Sequence, residues 1–121
     1  MLKGRVLITG GTGSLGQAIL ERATRNNWPA QITILARNET KINQVRAKYP
    51  DVRCLVGDVR DLDWLHTIMP GHQTVIHAAA MKQVPACEDN PFECFETNYT
   101  GSVNVVRAAI YCSVPRVVAL S

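Results

Sequence analysis

The chain has 121 residues, 46% of them hydrophobic and 19% charged, and a formal net charge of +3. That length allows one domain, residues 1–121, with a core of its own, and the composition excludes a disordered or low-complexity chain. Its basic residues alternate with acids and form no stripe for nucleic acid, and no apolar run approaches the length of a membrane span.

Met1 to Arg5 leads directly into Val6-Leu7-Ile8-Thr9, which predicts a first strand and is too short for the apolar region of a secretory signal. A cytoplasmic location is therefore expected. Ser14 to Asn26 follows as a helix, with Leu15, Ala18, Ile19, Leu20 and Ala23 towards one side, until Trp28-Pro29 breaks it. Gln31 to Ala36 reads as a second strand, Thr40 to Tyr49 as a second helix ended by Pro50, and Val52 to Gly57 as a third strand. Asp61 to Met69 makes a short helix stopped by Pro70-Gly71, and Thr74 to His77 a fourth strand.

Pro85, Asp89-Asn90 and Pro91 interrupt the next segment. Pro91 suits the first turn of a helix capped by Asn90 and running to about Cys112, with Phe92, Phe95, Val103, Val106, Ala109 and Ile110 as apolar positions. Val117 to Leu120 reads as a last, buried strand. Strand and helix alternating in this way predict an α/β fold, a doubly wound parallel sheet of five strands, incomplete at its C-terminal edge. Cys54, Cys87, Cys94 and Cys112 lack zinc or C-x-x-C spacing and are expected to be reduced, buried thiols, with no metal site.

"LITGGTGSLGQAIL" sets Gly11, Gly13 and Gly16 in the pattern G-x-G-x-x-G, after one strand and opening one helix. That context predicts a Rossmann-type dinucleotide site: a tight turn at the first glycine, close approach of a pyrophosphate at the second and close helix packing at the third. Thr9, Gly10, Gly11, Thr12, Gly13, Ser14, Leu15 and Gly16 are the candidate cradle, with helix N–H groups facing the phosphates. A P-loop is excluded because no Gly-Lys-Ser/Thr follows.

At the end of the second strand, where an acid would hold the 2′-OH of NAD, stands Arg37. A guanidinium pairs with a 2′-phosphate, which favours NADP over NAD as cofactor. The competing readings are a solvated charge at a strand end for Arg37 and a first-turn acid for Glu39. Asp58 stands where it can accept from an adenine amino group, with Val59 against the ring, although Asp58 or Asp61 capping the next helix explains either residue equally well. Ala78, Ala79 and Ala80 are small enough for a cofactor, or simply a tight turn, to lie against the backbone.

Thr9-Gly10 with Gly13 and Gly16, Asp58-Val59-Arg60-Asp61, "HAAA" and "TNYTGSVNVVRAA" together resemble the extended short-chain dehydrogenase/reductase family. "AAMKQVPACEDNPFECFETNYTGSVNVVRAA" followed by "VVALS" is more narrowly similar to the inverting UDP-N-acetylglucosamine 4,6-dehydratases and related polysaccharide-biosynthesis enzymes, over their N-terminal portion. The resemblance implies tightly held NADP, hydride removal from the sugar C4, loss of water across C5 and C6, and hydride return to C6. It also implies that Lys82 lies beside the nicotinamide and substrate, that Asn98 braces the central helix as a supporting residue, and that Glu88 flanks the sugar. Against these stand a solvated loop lysine, a mid-helix asparagine bonding to backbone and a loop acid.

The family's catalytic pair is Tyr-x-x-x-Lys, in which a nearby ammonium lowers the phenol's pKa. Tyr49, Tyr99 and Tyr111 are followed four residues later by Arg53, Val103 and Pro115, so no catalytic residue of that kind lies within the chain. His77 ends a strand near the crevice and reads as a packed histidine before it reads as a base. The expectation is the cofactor-binding portion of a nucleotide-sugar dehydratase, binding NADP without turnover. The alternatives are a self-sufficient NAD(P) sensor module and a portion of an epimerase or reductase. A nucleotide-sugar substrate in the longer parent and a homo-oligomer, formed on the outer face of the helix from Pro91, complete the expected partners.

Overall fold

The computed structural model describes residues 1–78, 90–92 and 96–119, with only the backbone of 96 and 97. In chain order the elements are β1 (Gly4–Thr9), α1 (Ser14–Arg25), β2 (Ala30–Ala36), α2 (Glu39–Lys48), β3 (Arg53–Val56), α3 (Leu62–Ile68) and β4 (Thr74–His77). A π-helical turn (Glu96–Thr100), α4 (Gly101–Tyr111) and β5 (Arg116–Ala119) follow. All strands run parallel in the order β3-β2-β1-β4-β5. The order reverses at β1, so the chain leaves β1 and β4 in opposite directions and a crevice opens beyond their carboxyl ends.

Alternation along the strands builds two cores. Val6, Ile8 and Ile34 project to one face and pack with Leu20 and Ala23 of α1 and Val45 of α2. Leu7, Leu35 and Val75 project to the other, against Leu65 of α3 and Val105, Ala108 and Ala109 of α4. Each fully buried leucine, isoleucine or valine contributes about 1.5–3 kcal/mol relative to exposure, so the doubly covered sheet dominates the stability.

Helix starts follow local chemistry. Asn38 caps α2 by accepting from the Lys41 N–H at 3.0 Å, and Asp61 caps α3 by accepting from the Trp64 N–H at 3.1 Å. No side chain caps α1, and its first turn has no acid.

Two elements differ from their sequence expectations. Of the helix expected from Pro91 to about Cys112, Pro91 and Phe92 are helical, and among the described residues a π-helical turn at 96–100 precedes α4. At the junction the Ser102 hydroxyl donates to the Asn98 carbonyl, and Gly101 lies so close to Val59 that a Cβ would stand 2.5 Å from its Cγ2. The face of α4 turned inward carries Asn104, Val105, Ala108 and Ala109, whereas Val106 and Ile110 are exposed. β5, expected to be buried, is an edge strand pairing only with β4, and its four residues are exposed. Cys54 and Cys112 are half-buried free thiols whose pKa burial raises, in Cys54 against the opposing charge of Arg46; Cys87 and Cys94 lie outside the described residues. No described helix is long and apolar enough to cross a membrane.

Candidate functional site

The β1–α1 loop is built by four glycines with four different jobs. Gly10, with φ of 72°, makes the turn out of β1 and donates its N–H to the Leu35 carbonyl at 2.7 Å. The expectation placed the tight turn on Gly11; its real constraint is Ile34 of β2, which a Cβ on Gly11 would meet at 2.5 Å. A Cβ on Gly16 would strike Gly11 backbone atoms at 2.5 Å, which is the close helix packing expected there. Gly13 differs from all three. Its φ is −77°, and among the described residues a Cβ would meet only the Gly10 carbonyl oxygen, at an ordinary 3.4 Å. No described neighbour demands glycine at position 13, which lines the crevice.

Behind Gly13 begins α1, whose first-turn N–H groups have no capping side chain. The Gln17 amide braces the loop from within α1 by donating to the Thr12 carbonyl at 2.9 Å. In front lies a cleft of about 270 Å³. Of the sequence-derived residues, Gly10, Thr12, Gly13, Arg37, Val59 and Ala78 line it; Leu35, Ala36, Asn38, Lys41 and Gly57 complete the wall. Gly11 and Gly16 support the loop from behind, Ser14 and Leu15 are exposed on the first turn of α1, and Thr9 is buried beneath. Ala79, Ala80, Lys82 and Glu88 lie outside the described residues.

Arg37 ends β2, and Lys41 reaches the same wall from the first turn of α2, so two cations share one end of the cleft. Lys41 was missed in the sequence, although its position four residues beyond Arg37, just inside a helix, was a readable signal. Asp58 stands behind this wall. Its Oδ1 accepts from the Arg60 N–H at 2.9 Å, its Oδ2 accepts from Arg60 Nη2 at 2.6 Å, and Arg37 Nη1 lies 3.7 Å away. Partial burial works to raise the Asp58 pKa, but the hydrogen bonds from Arg60 and the charges of Arg60 and Arg37 outweigh it and hold the carboxyl below its ordinary value. The capping role belongs to Asp61 and not to Asp58.

Next to Ala78, buried polar groups tie β1 and β4 to the start of α4. Thr9 Oγ1 lies 2.7 Å from His77 Nδ1, and His77 Nε2 lies 3.0 Å from Ser102 Oγ. Ser102 Oγ donates to the Asn98 carbonyl at 2.5 Å, and the Ala78 N–H donates to Thr9 Oγ1 at 3.2 Å. His77 is 3% exposed, and burial lowers its pKa below the ordinary histidine value. Asn104, also buried, donates from Nδ2 to the carbonyls of Val59 at 3.1 Å and Arg60 at 3.0 Å, which straps the β3–α3 turn to α4. Neither Ser102 nor Asn104 was singled out in the sequence; a polar residue amid the apolar positions of α4 was the available sign.

The cleft therefore offers an open glycine backbone and uncapped helix N–H groups at its middle, cations at one end and the small Ala78 at the other. Such a row could hold an extended, phosphate-bearing dinucleotide. Among the described residues no cluster of His, Cys, Asp or Glu could hold a metal ion.

A family model described as polysaccharide biosynthesis protein matches residues 6–121. The UDP-glucose 4-epimerase of Rickettsia massiliae (strain Mtu5) is 42% identical over 121 residues, covering 96% of this chain and 36% of the relative. The inverting UDP-N-acetylglucosamine 4,6-dehydratase of Campylobacter jejuni (serotype O:2) is also 42% identical, covering 98% of this chain and 36% of its own length. Among solved structures, the dTDP-glucose 4,6-dehydratase DesIV of Streptomyces venezuelae, with NAD and TYD bound, superposes with a TM-score of 0.81 at 26% identity, over 93% of this chain and 38% of that one. This chain spans 36% of the length of those two curated relatives.

Proposed function

The chain belongs to the polysaccharide biosynthesis protein family, and on that premise we propose that it is the nicotinamide-dinucleotide-binding part of an enzyme that modifies nucleotide sugars. The observation that carries this reading is Gly13, a glycine the fold leaves free, set over the uncapped start of α1 and facing the cleft. A side chain there would occupy the approach of a pyrophosphate. The NAD seen with DesIV supports the same class of ligand here. Thr9 to Gly16 would hold the phosphates, Val59 and Asp58 would flank the adenine, and Ala78 to Ala80 with Lys82 would meet the nicotinamide half. When bound, the nicotinamide would supply reversible hydride transfer; this chain's residues bind and orient it.

Arg37 and Lys41 support NADP as the cofactor, because two cations match a 2′-phosphate that an acid would repel. Among nucleotide-sugar reactions we favour 4,6-dehydration, for which "MKQVPACEDNP" speaks, with Asn98 in a supporting place. Since no tyrosine of this chain begins Tyr-x-x-x-Lys, the 121 residues would bind cofactor without turnover. The exposed Tyr99, Val106 and Ile110 on the outer side of the π-helical turn and α4 support self-association, which sedimentation would read.

Calorimetric titration with NADPH and NADH tests the reading. NADPH is expected to bind at least about ten times more tightly than NADH, in line with a charge-assisted phosphate contact, and Gly13→Val to bind neither. Absence of heat with both nucleotides would sink the cofactor assignment, and formation of a 4-keto sugar from UDP-N-acetylglucosamine by this chain would sink the expectation of no turnover.

A further inference from the structure

The hydrogens around His77 can be assigned from its neighbours. Thr9 Oγ1 has a single hydrogen. The Ala78 N–H, bonded to the Thr9 carbonyl at 3.0 Å, also donates to this oxygen at 3.2 Å, and the remaining lone pair lets the hydroxyl face either form of His77 Nδ1, 2.7 Å away. The Thr9 side accommodates both roles, and the other end of the ring decides between them. On the other side, the Ser102 hydroxyl hydrogen is spent on the Asn98 carbonyl, so Ser102 Oγ must accept from His77 Nε2 at 3.0 Å. Nε2 therefore carries the proton. With Nε2 protonated and the ring kept neutral by burial, Nδ1 is left to accept from the Thr9 hydroxyl, and the bonds run in one direction: Ala78 N–H to Thr9, Thr9 to His77, His77 to Ser102, Ser102 to Asn98.

We propose that His77 is a positioning residue that couples the mouth of the glycine loop to the π-helical turn, so that Gly10 and Ala78 at the cleft are set together with the start of α4. The inference rests on the cofactor reading above only for its consequence in binding. Thr9 immediately precedes Gly10, which lines the cleft, and Ala78 lines it directly. Asn98, at the far end, lies inside the wide turn where the helix departs from α geometry. Thr9 and Ser102 bond to opposite nitrogens of one imidazole, so the ring links their side chains directly. The ring's near neighbours, Thr9 and Ala78 on one side and Ser102 on the other, do not ionise. Among the described residues no charge is placed to stabilise an imidazolium, and burial alone acts on the titration.

Two measurements decide it. First, ¹⁵N shifts of the ring in the ligand-free chain at pH 7 should report the Nε2–H tautomer; the Nδ1–H form or an imidazolium would overturn the assignment. Second, Thr9→Val and Ser102→Ala should each weaken NADPH binding about 3- to 10-fold, the range of one lost buried hydrogen bond. The double variant should be no weaker than the worse single one, and Thr9→Ser, which keeps the hydroxyl, should restore affinity. Multiplicative losses in the double variant would show two independent contacts and overturn the coupling. If the unaltered chain binds neither nucleotide, the cofactor reading fails separately, and the tautomer together with the same cycle read on urea unfolding still decides whether His77 couples the glycine loop to the π-helical turn.

Discussion

Gly13 and Gly16 stand three residues apart in one motif, yet alanine at each should do opposite things. At Gly16 a Cβ would lie 2.5 Å from the Cα and carbonyl oxygen of Gly11 and 2.7 Å from its carbonyl carbon. These are backbone atoms, and Gly11 is itself pressed on Ile34, so α1 has to move off the sheet. Such overpacking costs about 1–3 kcal/mol, and the helix propensity gained on replacing glycine by alanine returns at most about 1 kcal/mol. Where the clash is with backbone the upper end applies, and Gly16→Ala is expected to lower stability by about 2 kcal/mol and the melting midpoint by roughly 5–10 °C. At Gly13 the Cβ has room and the backbone is ordinary, so the loss of a glycine N-cap and the reduced entropy of the unfolded chain, each about 0.5–1 kcal/mol, nearly cancel. Gly13→Ala should therefore melt within about 1 kcal/mol of the parent, while NADPH affinity falls more than about tenfold, because the methyl stands where the pyrophosphate must approach. Thermal unfolding by circular dichroism and calorimetric titration of the same samples separate the two effects. A Gly13→Ala chain that binds NADPH like the parent would refute the argument that a ligand, and not the fold, dictates that glycine.

Further outcomes follow from the same geometry. Arg37→Glu should leave the melting point within about 0.5 kcal/mol of the parent, since its contact with Asp58 is long and half-exposed, and should reverse the preference towards NADH in competition titrations. Asn104→Ala would leave the carbonyls of Val59 and Arg60 without their shared donor and should cost about 2 kcal/mol by urea unfolding; a smaller loss than about 0.5 kcal/mol would mean that the strap is unimportant. Burial, followed for His72 by the charges of Arg5 and Arg53 working against its bond to the Met69 carbonyl, lowers the folded pKa of His72, and burial lowers that of His77. Below the ordinary value of 6.5 the unfolded chain then binds more protons than the folded one. Stability should accordingly be at its plateau above that pH and decline as the pH falls through it, and a melting midpoint unchanged between pH 7.5 and 5.5 would contradict this.

The sheet was legible because its strands are short apolar runs between glycines, prolines and polar turns, a pattern that survives without any knowledge of neighbours. The inward face of α4 was not. That helix is apolar on several sides, so Val106 and Ile110 look as suitable for the core as Val105 and Ala108, and only the position of β4 and α3 decides between them. The glycine motif located the loop, but adjacent glycines cannot reveal which one takes the left-handed turn; the contact of Gly11 with Ile34 leaves that to Gly10. The π-helical turn has no periodic signature, and the partners of His77 and Asn104 are 25 or more residues away in the chain. The cleft-lining residues read in advance were those whose role is local; Lys41 and Asn38 join them through the way α2 begins.

β1 pairs with β2 on one side and β4 on the other, and Val6, Leu7, Ile8 and Thr9 are wholly buried. Its amides can exchange with solvent only when the whole sheet opens, whereas those of the exposed edge β5 need no more than local fraying. The glycine loop hangs from a strand that is paired on both sides and fully buried over Val6–Thr9. A nucleotide bound as proposed would thus meet a floor that is already ordered.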